Sequence, residues 1–280
     1  MRRILNAGAL GRALGRYRTL GQTIGFVPTM GDLHRGHLSL VERARRENDR
    51  VVVSVFVNPM QFGPEEDYKR YPRKTAHDSG LCRKAGVDIF FTPSVKQMYP
   101  ENFQTTVEIE KLSKYLCGAD RPRHFKGVAT VVAKLFNLVR PDRAYFGLKD
   151  YQQAMIIQQM VRDLQIPVGL KFCRLVRDAD GLALSSRNRY LSVEERKRAL
   201  SIYRALMLAK KLIKNGTRRA GEVKRKMSQV LRGYVDKIHY VSIVDPVSLE
   251  TTERIRGSVL LAIAARVGKT RLIDNLIIHV

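Results

Sequence analysis

Residues 24–37, I-G-F-V-P-T-M-G-D-L-H-R-G-H, constrain the fold of this chain more than any other stretch. The apolar run 24–27 is stopped by Pro28 and turned through Gly31, and two histidines follow where a helix opens. A strand that turns through glycine into a helix brings together unpaired backbone N–H groups and the positive end of the helix dipole. The stretch therefore predicts an α/β protein with a phosphate site at this turn.

The two histidines, His34 and His37, are three residues apart, so we expect them on one helix face, directed at one ligand. Three interpretations are open: core or surface histidines without a role, part of a metal site, or a pair lying against phosphate. Catalytic zinc needs three protein ligands and no third stands at helical spacing, so the metal content stays unknown. We favour the phosphate interpretation, because histidine donors would stabilise the charge that grows during attack on phosphorus.

Strand and helix patterns alternate through the first part of the chain. The β-branched run 51–57 is typical of a strand buried on both faces of a parallel sheet. Alternation of this kind implies right-handed parallel crossovers and hence a doubly wound parallel sheet. The other predicted strands are 87–91, 144–146 and 168–173, and the predicted helices are 38–48, 74–85, 127–139 (buried almost all round) and 151–164.

The pattern changes after residue 187. Ser192 and Glu195 form a capping box before a long basic helix that Asn215-Gly216 ends. A second helix is predicted over 220–234. The predicted strands 238–244, 258–267 and 271–278 are joined by turns and form an antiparallel set. We therefore predict an α/β protein with a Rossmann-like domain at 1–178 and a smaller C-terminal α+β lid domain at 179–280.

The composition is that of a basic protein that does not span a membrane. No apolar run approaches the roughly 20 residues that a membrane span requires. Cys82, Cys117 and Cys173 are far apart, which favours a reducing, cytoplasmic location over a disulfide scaffold. Residues 1–22 carry five arginines and no acid, as transit peptides do, but their leucine spacing favours a short helix that leads into the first strand.

The net charge of +25 comes from 51 Lys and Arg against 26 Asp and Glu. Residues 187–232 alone hold 15 basic and 3 acidic residues. Solvated helix faces, steering of an anionic substrate and binding of nucleic acid would each use such an excess. Nucleic acid is the least favoured, because no recognised motif or aromatic platform accompanies the charge.

A second motif, F-V-N-P-M-Q-F-G at 56–63, follows the strand 51–57. Asn58 and Gln61 offer uncharged amides beside the apolar Met60 and Phe62. Such a lining can hold a small hydroxy acid by hydrogen bonds and packing, and the alternative is a plain loop.

A third motif, Y-F-G-L-K-D-Y-Q-Q at 145–153, combines a strand end, a glycine turn and a helix start. Lys149 could bridge phosphates, and Asp150 could orient it or help hold magnesium or ribose. Gln153 lies one helical turn onward. A G-x-K-D sequence alone carries little information.

A fourth motif, D-G-L-A-L-S-S-R-N at 180–188, supplies the hydroxyls of Ser185 and Ser186 and the guanidinium of Arg187. These groups suit a flexible phosphate clamp at a domain boundary. The alternative is a simple turn with a helix-capping serine.

Together with Y-P-R at 71–73 and R-P-R-H-F-K-G-V-A-T-V-V at 121–132, these ordered motifs resemble the pantoate–β-alanine ligase family. That family belongs to the nucleotidylyltransferase superfamily with an H-x-G-H signature, and the resemblance covers nearly the whole chain. It implies a homodimer, no tightly bound cofactor, and an N-terminal domain that binds ATP and pantoate. It also implies ATP as a substrate, expected with Mg²⁺, and a two-step reaction: pantoate and ATP give pantoyl adenylate and pyrophosphate, and β-alanine then displaces AMP.

The resemblance also implies roles for individual residues. His37 is the candidate proton donor, and Gln61 and Gln153 would bind pantoate. Asn58, Arg121 and His124 would line the cleft less directly. The ATP side, including the catalytic residues, would be Met30, His34, His37, Gly147, Lys149, Asp150, Ser185, Ser186 and Arg187.

The chain departs from the family pattern at four positions. Family members usually have an acidic residue at Cys117 and at Leu148, a small residue at Arg123, and methionine at Leu184. Two alternatives to the ligase therefore stay open. One is a related nucleotidylyltransferase with a different acid substrate, and the other is a catalytically weakened relative that binds nucleic acid.

Overall fold

A computed structural model describes residues 1–64 and 66–280 of the chain. Its strands are β1 (Arg2–Ile4), β2 (Ile24–Thr29), β3 (Arg50–Val55), β4 (Ile89–Phe91), β5 (Arg143–Gly147), β6 (Gly169–Cys173), β7 (Lys237–Val244), β8 (Ser258–Val267) and β9 (Thr270–His279). Its helices are α1 (Ala7–Thr19), α2 (Arg35–Glu47), α3 (Thr75–Lys84), α4 (Val95–Met98), α5 (Leu116–Asp120), α6 (His124–Val139), α7 (Tyr151–Asp163), α8 (Val193–Lys214) and α9 (Ala220–Leu231). Single 3₁₀ turns occur at Pro59–Gln61, Leu112–Lys114, Leu148–Asp150 and Ser186–Tyr190.

The chain forms two compact units. The first consists of Met1–Ser113, Arg121–Leu148 and Gln153–Arg174, and the second of Lys114–Asp120, Lys149–Gln152 and Leu175–Val280. Two short segments that precede residue 178 in the sequence thus group with the C-terminal part of the chain. One of them carries Lys149 and Asp150.

The first unit is built on one six-stranded parallel sheet in the order β1-β4-β3-β2-β5-β6. This confirms the predicted doubly wound parallel sheet. From β2 the chain moves outward through β3 and β4, and later it fills the other side of β2 through β5 and β6. The β2/β5 pair is therefore the topological switch point, where open α/β sheets bind ligands beyond the carboxyl ends of their strands.

The sequence predicted that strand β2 stops at Pro28, but the strand continues to Thr29. The carbonyl of Ile24 accepts the N–H of Asp142, so the backbone N–H and C=O groups of every second residue from Ile24 point toward β5. Pro28 has this parity, and the pairing of β2 with β5 ends earlier, at Phe26. The missing N–H of proline therefore interrupts no ladder bond, and pairing with β3 continues past it.

The N-terminal segment is built into this sheet. The predicted helix is α1, and it buries Leu10, Ala13 and Leu14. Strand β1, which the sequence analysis did not predict, pairs with β4 at the sheet edge. At three residues, β1 is too short to show an alternating pattern, so only its partner identifies it.

Helix α6 is buried almost all round, as predicted, and it begins at His124 rather than residue 127. Gly127 in its first turn lies against the 3₁₀ turn Pro59–Gln61. A Cβ at Gly127 would overlap the backbone carbonyl of Met60. The close approach of α6 to this turn therefore requires glycine at this position.

The second unit packs α8 and α9 on a three-stranded antiparallel sheet, β7-β8-β9, as predicted. Ser192 and Glu195 form the predicted capping box of α8. Helix α9 ends at Leu231, three residues earlier than predicted, because Arg232 leaves the helical conformation and Gly233 follows with a positive φ. Within residues 1–64 and 66–280, no helix combines the length and apolar character needed to cross a bilayer.

Replacing Gly127 by alanine should destabilise the first unit, because the new methyl group must displace the Met60 backbone. We expect the free energy of unfolding in urea to fall by about 1–3 kcal/mol. Gly11→Ala in α1 is the matched control, since a Cβ there meets no atom within 4 Å. That control should raise stability slightly. Equal stability of the Gly127→Ala variant and the unmodified protein would show that the contact is not tight.

Candidate active site

The two histidines of the first motif form the N-terminal cap of α2. His34 is the N-cap residue, and its Nδ1 accepts the N–H of Gly36 at 3.1 Å. The Nδ1 of His37 accepts the N–H of His34 at 3.3 Å, which completes a reciprocal capping box. The ring centroids are 4.0 Å apart. The structure thus brings the pair together, with His34 just outside the helix rather than on its face.

This cap fixes the tautomer of both neutral imidazoles. A ring nitrogen that accepts a hydrogen bond carries no proton, so each neutral ring holds its proton on Nε2. In each neutral ring, Nδ1 is therefore the acceptor that forms the cap and Nε2–H is the donor group. Such neighbouring donors at a helix start are suited to phosphate oxygens.

The turn between β2 and α2 is held by Asp78 of α3. The fully buried carboxylate of Asp78 accepts the N–H of Asp32 at 2.9 Å and that of Leu33 at 2.8 Å. A Cβ at Gly31, where φ is +87°, would lie 2.8 Å from Val55 and 3.0 Å from the Asp78 carboxylate. Glycine and aspartate together therefore set the path of the chain into the histidine cap.

The two amides of the second motif are bonded to each other. Asn58 is the N-cap of the 3₁₀ turn, and its Nδ2 donates to Gln61 Oε1 at 3.0 Å and to the carbonyl of Gly127 at 3.0 Å. Gln61 Nε2 lies 3.1 Å from Sδ of Met30, which directly follows β2. Both amide side chains are buried. The structure thus links candidates from the first and second motifs.

Two basic candidates reach the same turn through its backbone. The carbonyl of Gln61 accepts from Arg121 at 3.1 Å, and His124 Nδ1 lies 2.8 Å from it. Because a carbonyl only accepts, this Nδ1 carries the proton. Arg121 also forms a two-pronged ion pair with Glu66. Both side chains therefore hold the turn directly, and much of their hydrogen-bonding capacity is used by partners within the protein.

Two other candidates of the first unit lie at the neighbouring strand. Gly147 is the last residue of β5, where a Cβ would meet no atom within 4 Å. Gln153 is in the first turn of α7. Within the described part of the chain, the Gln153 side chain makes no hydrogen bond to the other candidates of this unit.

The remaining candidates belong to the second unit. Lys149 Nζ lies 3.7 Å from the Asp150 carboxylate, and the Lys149 carbonyl accepts the amide of Asn275 at 2.8 Å. Burial raises the pKa of the neighbouring Asp274, and the guanidinium of Arg177, bound at 2.6 Å, opposes that rise. The hydrogen bond from Asn275 anchors the backbone of Lys149 to β9.

The serine–arginine motif forms a short cap. The Ser185 hydroxyl accepts the N–H of Arg187 at 3.3 Å and opens the 3₁₀ turn Ser186–Tyr190. Asn188 donates to the carbonyl of Ala183 at 2.9 Å, which ties the turn to the preceding chain. The capping serine that the sequence left as an alternative is therefore present, and a cap does not exclude a role in binding phosphate.

A model of the family described as pantoate-beta-alanine ligase matches residues 4–277. The chain belongs to the pantoate–β-alanine ligase family. The resemblance carried by the ordered motifs is thereby confirmed, and the protein is an amide-forming ligase.

Similar proteins agree with this family. A pantothenate synthetase of Thermotoga petrophila is 58% identical over 258 residues, which cover 92% of each chain. The crystal structure of pantothenate synthetase from Thermus thermophilus is 50% identical, with a TM-score of 0.94 over 99% of both chains. The pantoate-beta-alanine ligase of Francisella tularensis, complexed with beta-gamma ATP and beta-alanine, is 35% identical, with a TM-score of 0.79 over 99% of this chain and 97% of that one.

The departure from the ligase family pattern at Cys117 is accommodated within the second unit. Cys117 Sγ lies 3.3 Å from the hydroxyl of Tyr240 and accepts from Arg271 at 3.4 Å. Arg271 also pairs with Asp120 at 3.0 Å. Asp120, one helical turn from Cys117, thus supplies a carboxylate to this cluster. Arg123, a second departure, is exposed at the start of α6.

Two residues that hold candidate site residues in place were not predicted from the sequence. Asp78 holds the turn before the histidines, and Tyr99 donates to Asn58 Oδ1 at 2.8 Å. Asp78 lies in α3, which shows no strong apolar face, so the sequence pattern does not indicate that this carboxylate is buried. Burial, followed by the charge of Asp78, raises the pKa of Cys82 to about 12.

Changing Asp78 to asparagine should loosen the turn, because an NH₂ group would face a backbone N–H. We expect the free energy of unfolding to fall by about 1–3 kcal/mol, the cost of leaving a buried donor unpaired. Urea unfolding measures this, with the exposed Asp163→Asn as the control. A loss no larger than in the control would contradict the anchoring role.

Proposed function

We propose that this protein joins pantoate to β-alanine with cleavage of ATP, forming pantothenate, AMP and pyrophosphate. The observation that carries the proposal is the reciprocal histidine cap that follows β2 at the switch point of the sheet, together with the amide of Gln61, which contacts Met30 directly after the same strand. Hydrogen-bond donors suited to phosphate and an amide suited to a hydroxy acid therefore lie in the same unit. The complex of the Francisella tularensis relative with beta-gamma ATP and beta-alanine supports this choice of substrates.

The first step we propose is attack of the pantoate carboxylate on the α-phosphorus of ATP. A bond forms between a carboxylate oxygen and phosphorus, and the bond to the β-phosphate breaks, releasing pyrophosphate. A carboxylate is already a nucleophile and needs no strong base, so catalysis consists of alignment and charge stabilisation. Positioning of two reactants is worth ~7–11 kcal/mol of barrier.

The second step is attack of the β-alanine amine on the acyl carbon of the adenylate. The new C–N bond replaces the C–O bond to AMP, and the proton that the amine loses passes to the released AMP phosphate or to solvent. Exclusion of water protects the mixed anhydride until the amine arrives. His37 is the proposed proton donor to the leaving phosphate oxygen. For that role Nδ1 must first take up a proton in place of its bond from the His34 N–H, so that loss of the Nε2 proton leaves a neutral imidazole.

For the first unit we propose that Met30, His34, His37 and Gly147 serve ATP. A single preorganised donor to a developing oxyanion is worth on the order of 3 kcal/mol. Gln61 and Gln153 are proposed to bind pantoate. Arg121, His124 and Asn58 would act less directly, since their contacts hold the turn that carries Gln61.

We propose that residues 179–280 form a lid domain, and that Lys149, Ser185, Ser186 and Arg187 of the second unit serve the phosphates of ATP. Lys149 would neutralise phosphate charge, and Arg187 with the two serines would bind phosphate oxygens. Mg²⁺ is expected to accompany ATP and to neutralise its triphosphate. The carboxylate of Asp150 is an oxygen ligand of the kind that Mg²⁺ prefers, and ribose is its alternative partner.

We also propose that the protein acts in the cytoplasm as a homodimer, as the family resemblance implies. All three cysteines are buried free thiols, which supports a reducing compartment. Nucleic acid and membranes are not proposed as partners.

Removing either His37 or Lys149 should abolish most adenylate formation while leaving the fold intact. We expect His37→Ala and Lys149→Ala each to slow pantoate-dependent exchange of pyrophosphate into ATP by about two orders of magnitude or more. The exposed His77→Ala and Lys224→Ala are matched controls. Near-normal exchange in both site variants would contradict the assigned roles. Absence of pantoate-dependent exchange in the unmodified, folded protein would overturn the proposed function itself.

Removing the Gln61 amide should weaken pantoate binding selectively. We expect Gln61→Ala to raise the KM for pantoate about tenfold or more, because a hydrogen bond to a charged ligand contributes ~1.5–3 kcal/mol. The KM for ATP should change little. Gln158→Ala, exposed on α7, is the control. An unchanged KM for pantoate in Gln61→Ala would place the pantoate pocket elsewhere.

A further inference from the structure

The side chain of Asn58 has only one possible orientation. Its two polar atoms each face a backbone group of fixed type. The carbonyl of Gly127, which only accepts, lies 3.0 Å from one of them, and the N–H of Met60, which only donates, lies 3.3 Å from the other. The NH₂ group of Asn58 must therefore face Gly127, and its oxygen must face Met60.

Tyr99 shares the oxygen of this amide. Its hydroxyl lies 2.8 Å from Asn58 Oδ1, and because that oxygen only accepts, Tyr99 is the donor. The Tyr99 ring lies near those of Phe56 and Phe103, at centroid distances of 6.1 and 5.0 Å. Burial raises the pKa of Tyr99, so the hydroxyl keeps its proton at any physiological pH. Tyr99 is therefore a permanent donor in a fixed position.

The orientation of the Asn58 amide determines that of the Gln61 amide. The NH₂ group of Asn58 lies 3.0 Å from one amide atom of Gln61, which must be the acceptor Oε1. The oxygen of Gln61 is thus occupied, and its NH₂ group occupies the other position, next to the thioether of Met30 at 3.1 Å. A thioether is only a weak acceptor, so these donors retain most of their capacity for a ligand.

We propose that Tyr99 and Asn58 are positioning residues that fix the amide of Gln61 with its NH₂ group toward the substrate, and so make the pocket select a hydrogen-bond acceptor on the hydroxy acid. This inference rests on the proposed function, in which Gln61 binds pantoate. Its three links are Tyr99 to Asn58, Asn58 to Gln61, and Gln61 to an acceptor oxygen of the substrate. Pantoate, an anion with several oxygen atoms, can provide this acceptor.

The first test removes only the Tyr99 hydroxyl. Tyr99→Phe should raise the KM for pantoate about 3- to 10-fold, the effect of one hydrogen bond, while the KM for ATP and kcat change less than about 2-fold. Tyr145→Phe is the matched control. Tyr145 is also a buried tyrosine, whose hydroxyl accepts from Asn48 at 2.6 Å and donates to Glu47 at 3.0 Å. Both variants should lose stability in urea, but only Tyr99→Phe should change the KM for pantoate.

The second test inverts the polarity of Gln61. Gln61→Glu keeps an acceptor for Asn58 but presents oxygen instead of NH₂ to the substrate, whereas Gln61→Met keeps a similar volume without polarity. Repulsion between the introduced carboxylate and the acceptor oxygen of pantoate should make Gln61→Glu bind pantoate at least about 10-fold more weakly than Gln61→Met. Calorimetry with pantoate alone, or with a non-hydrolysable ATP analogue present, measures this difference.

Distinct outcomes identify which claim fails. The positioning role of Tyr99 and Asn58 is overturned if the Tyr99→Phe and Tyr145→Phe variants have the same KM for pantoate. It is also overturned if Gln61→Glu binds pantoate as well as Gln61→Met or better. The proposed function fails instead if the unmodified protein shows no pantoate-dependent exchange. The Gln61 pocket fails if Gln61→Met binds pantoate like the unmodified protein.

Discussion

Parallel pairing of β2 with both β3 and β5 is the constraint on which the rest of the first unit depends. Six registered pairs join β2 to β3, and further pairs join it to β5, so the carboxyl ends of three strands lie along one edge. The histidine cap and the Asn58–Gln61 turn each follow one of these ends, and Gly147 is the last residue of β5. Their proximity is thus a consequence of backbone hydrogen bonding, and the side chains then refine it.

Buried polar groups perform that refinement by binding the backbone of the loops. Asp78 accepts two N–H groups in the turn before His34, and Asn58 bonds to the carbonyl of Gly127. A loop held in this way keeps its donors in place before the substrate arrives, which lowers the entropy cost of binding. The site is therefore preorganised by groups that need not touch the substrate.

Local patterns made much of the fold predictable, and distant partners account for what was missed. The apolar face of α6 and the Ser192 capping box can be seen in consecutive residues. The continuation of β2 through Pro28 depends on where its pairing with β5 stops, and β1 depends on β4. Asp78 and Tyr99 act on residues 45 and 41 positions away, a separation at which a single sequence gives no pairing signal. The motif residues were found because their order matches a family.

The central claim is that pantoate is activated by direct bonding of its carboxylate to the α-phosphorus. The fate of a carboxylate oxygen tests this most directly. If pantoate labelled with ¹⁸O in its carboxylate is converted in the presence of β-alanine and ATP, mass spectrometry should find one labelled oxygen transferred to AMP for each pantothenate formed. Label recovered in pyrophosphate or inorganic phosphate, with unlabelled AMP, would contradict it.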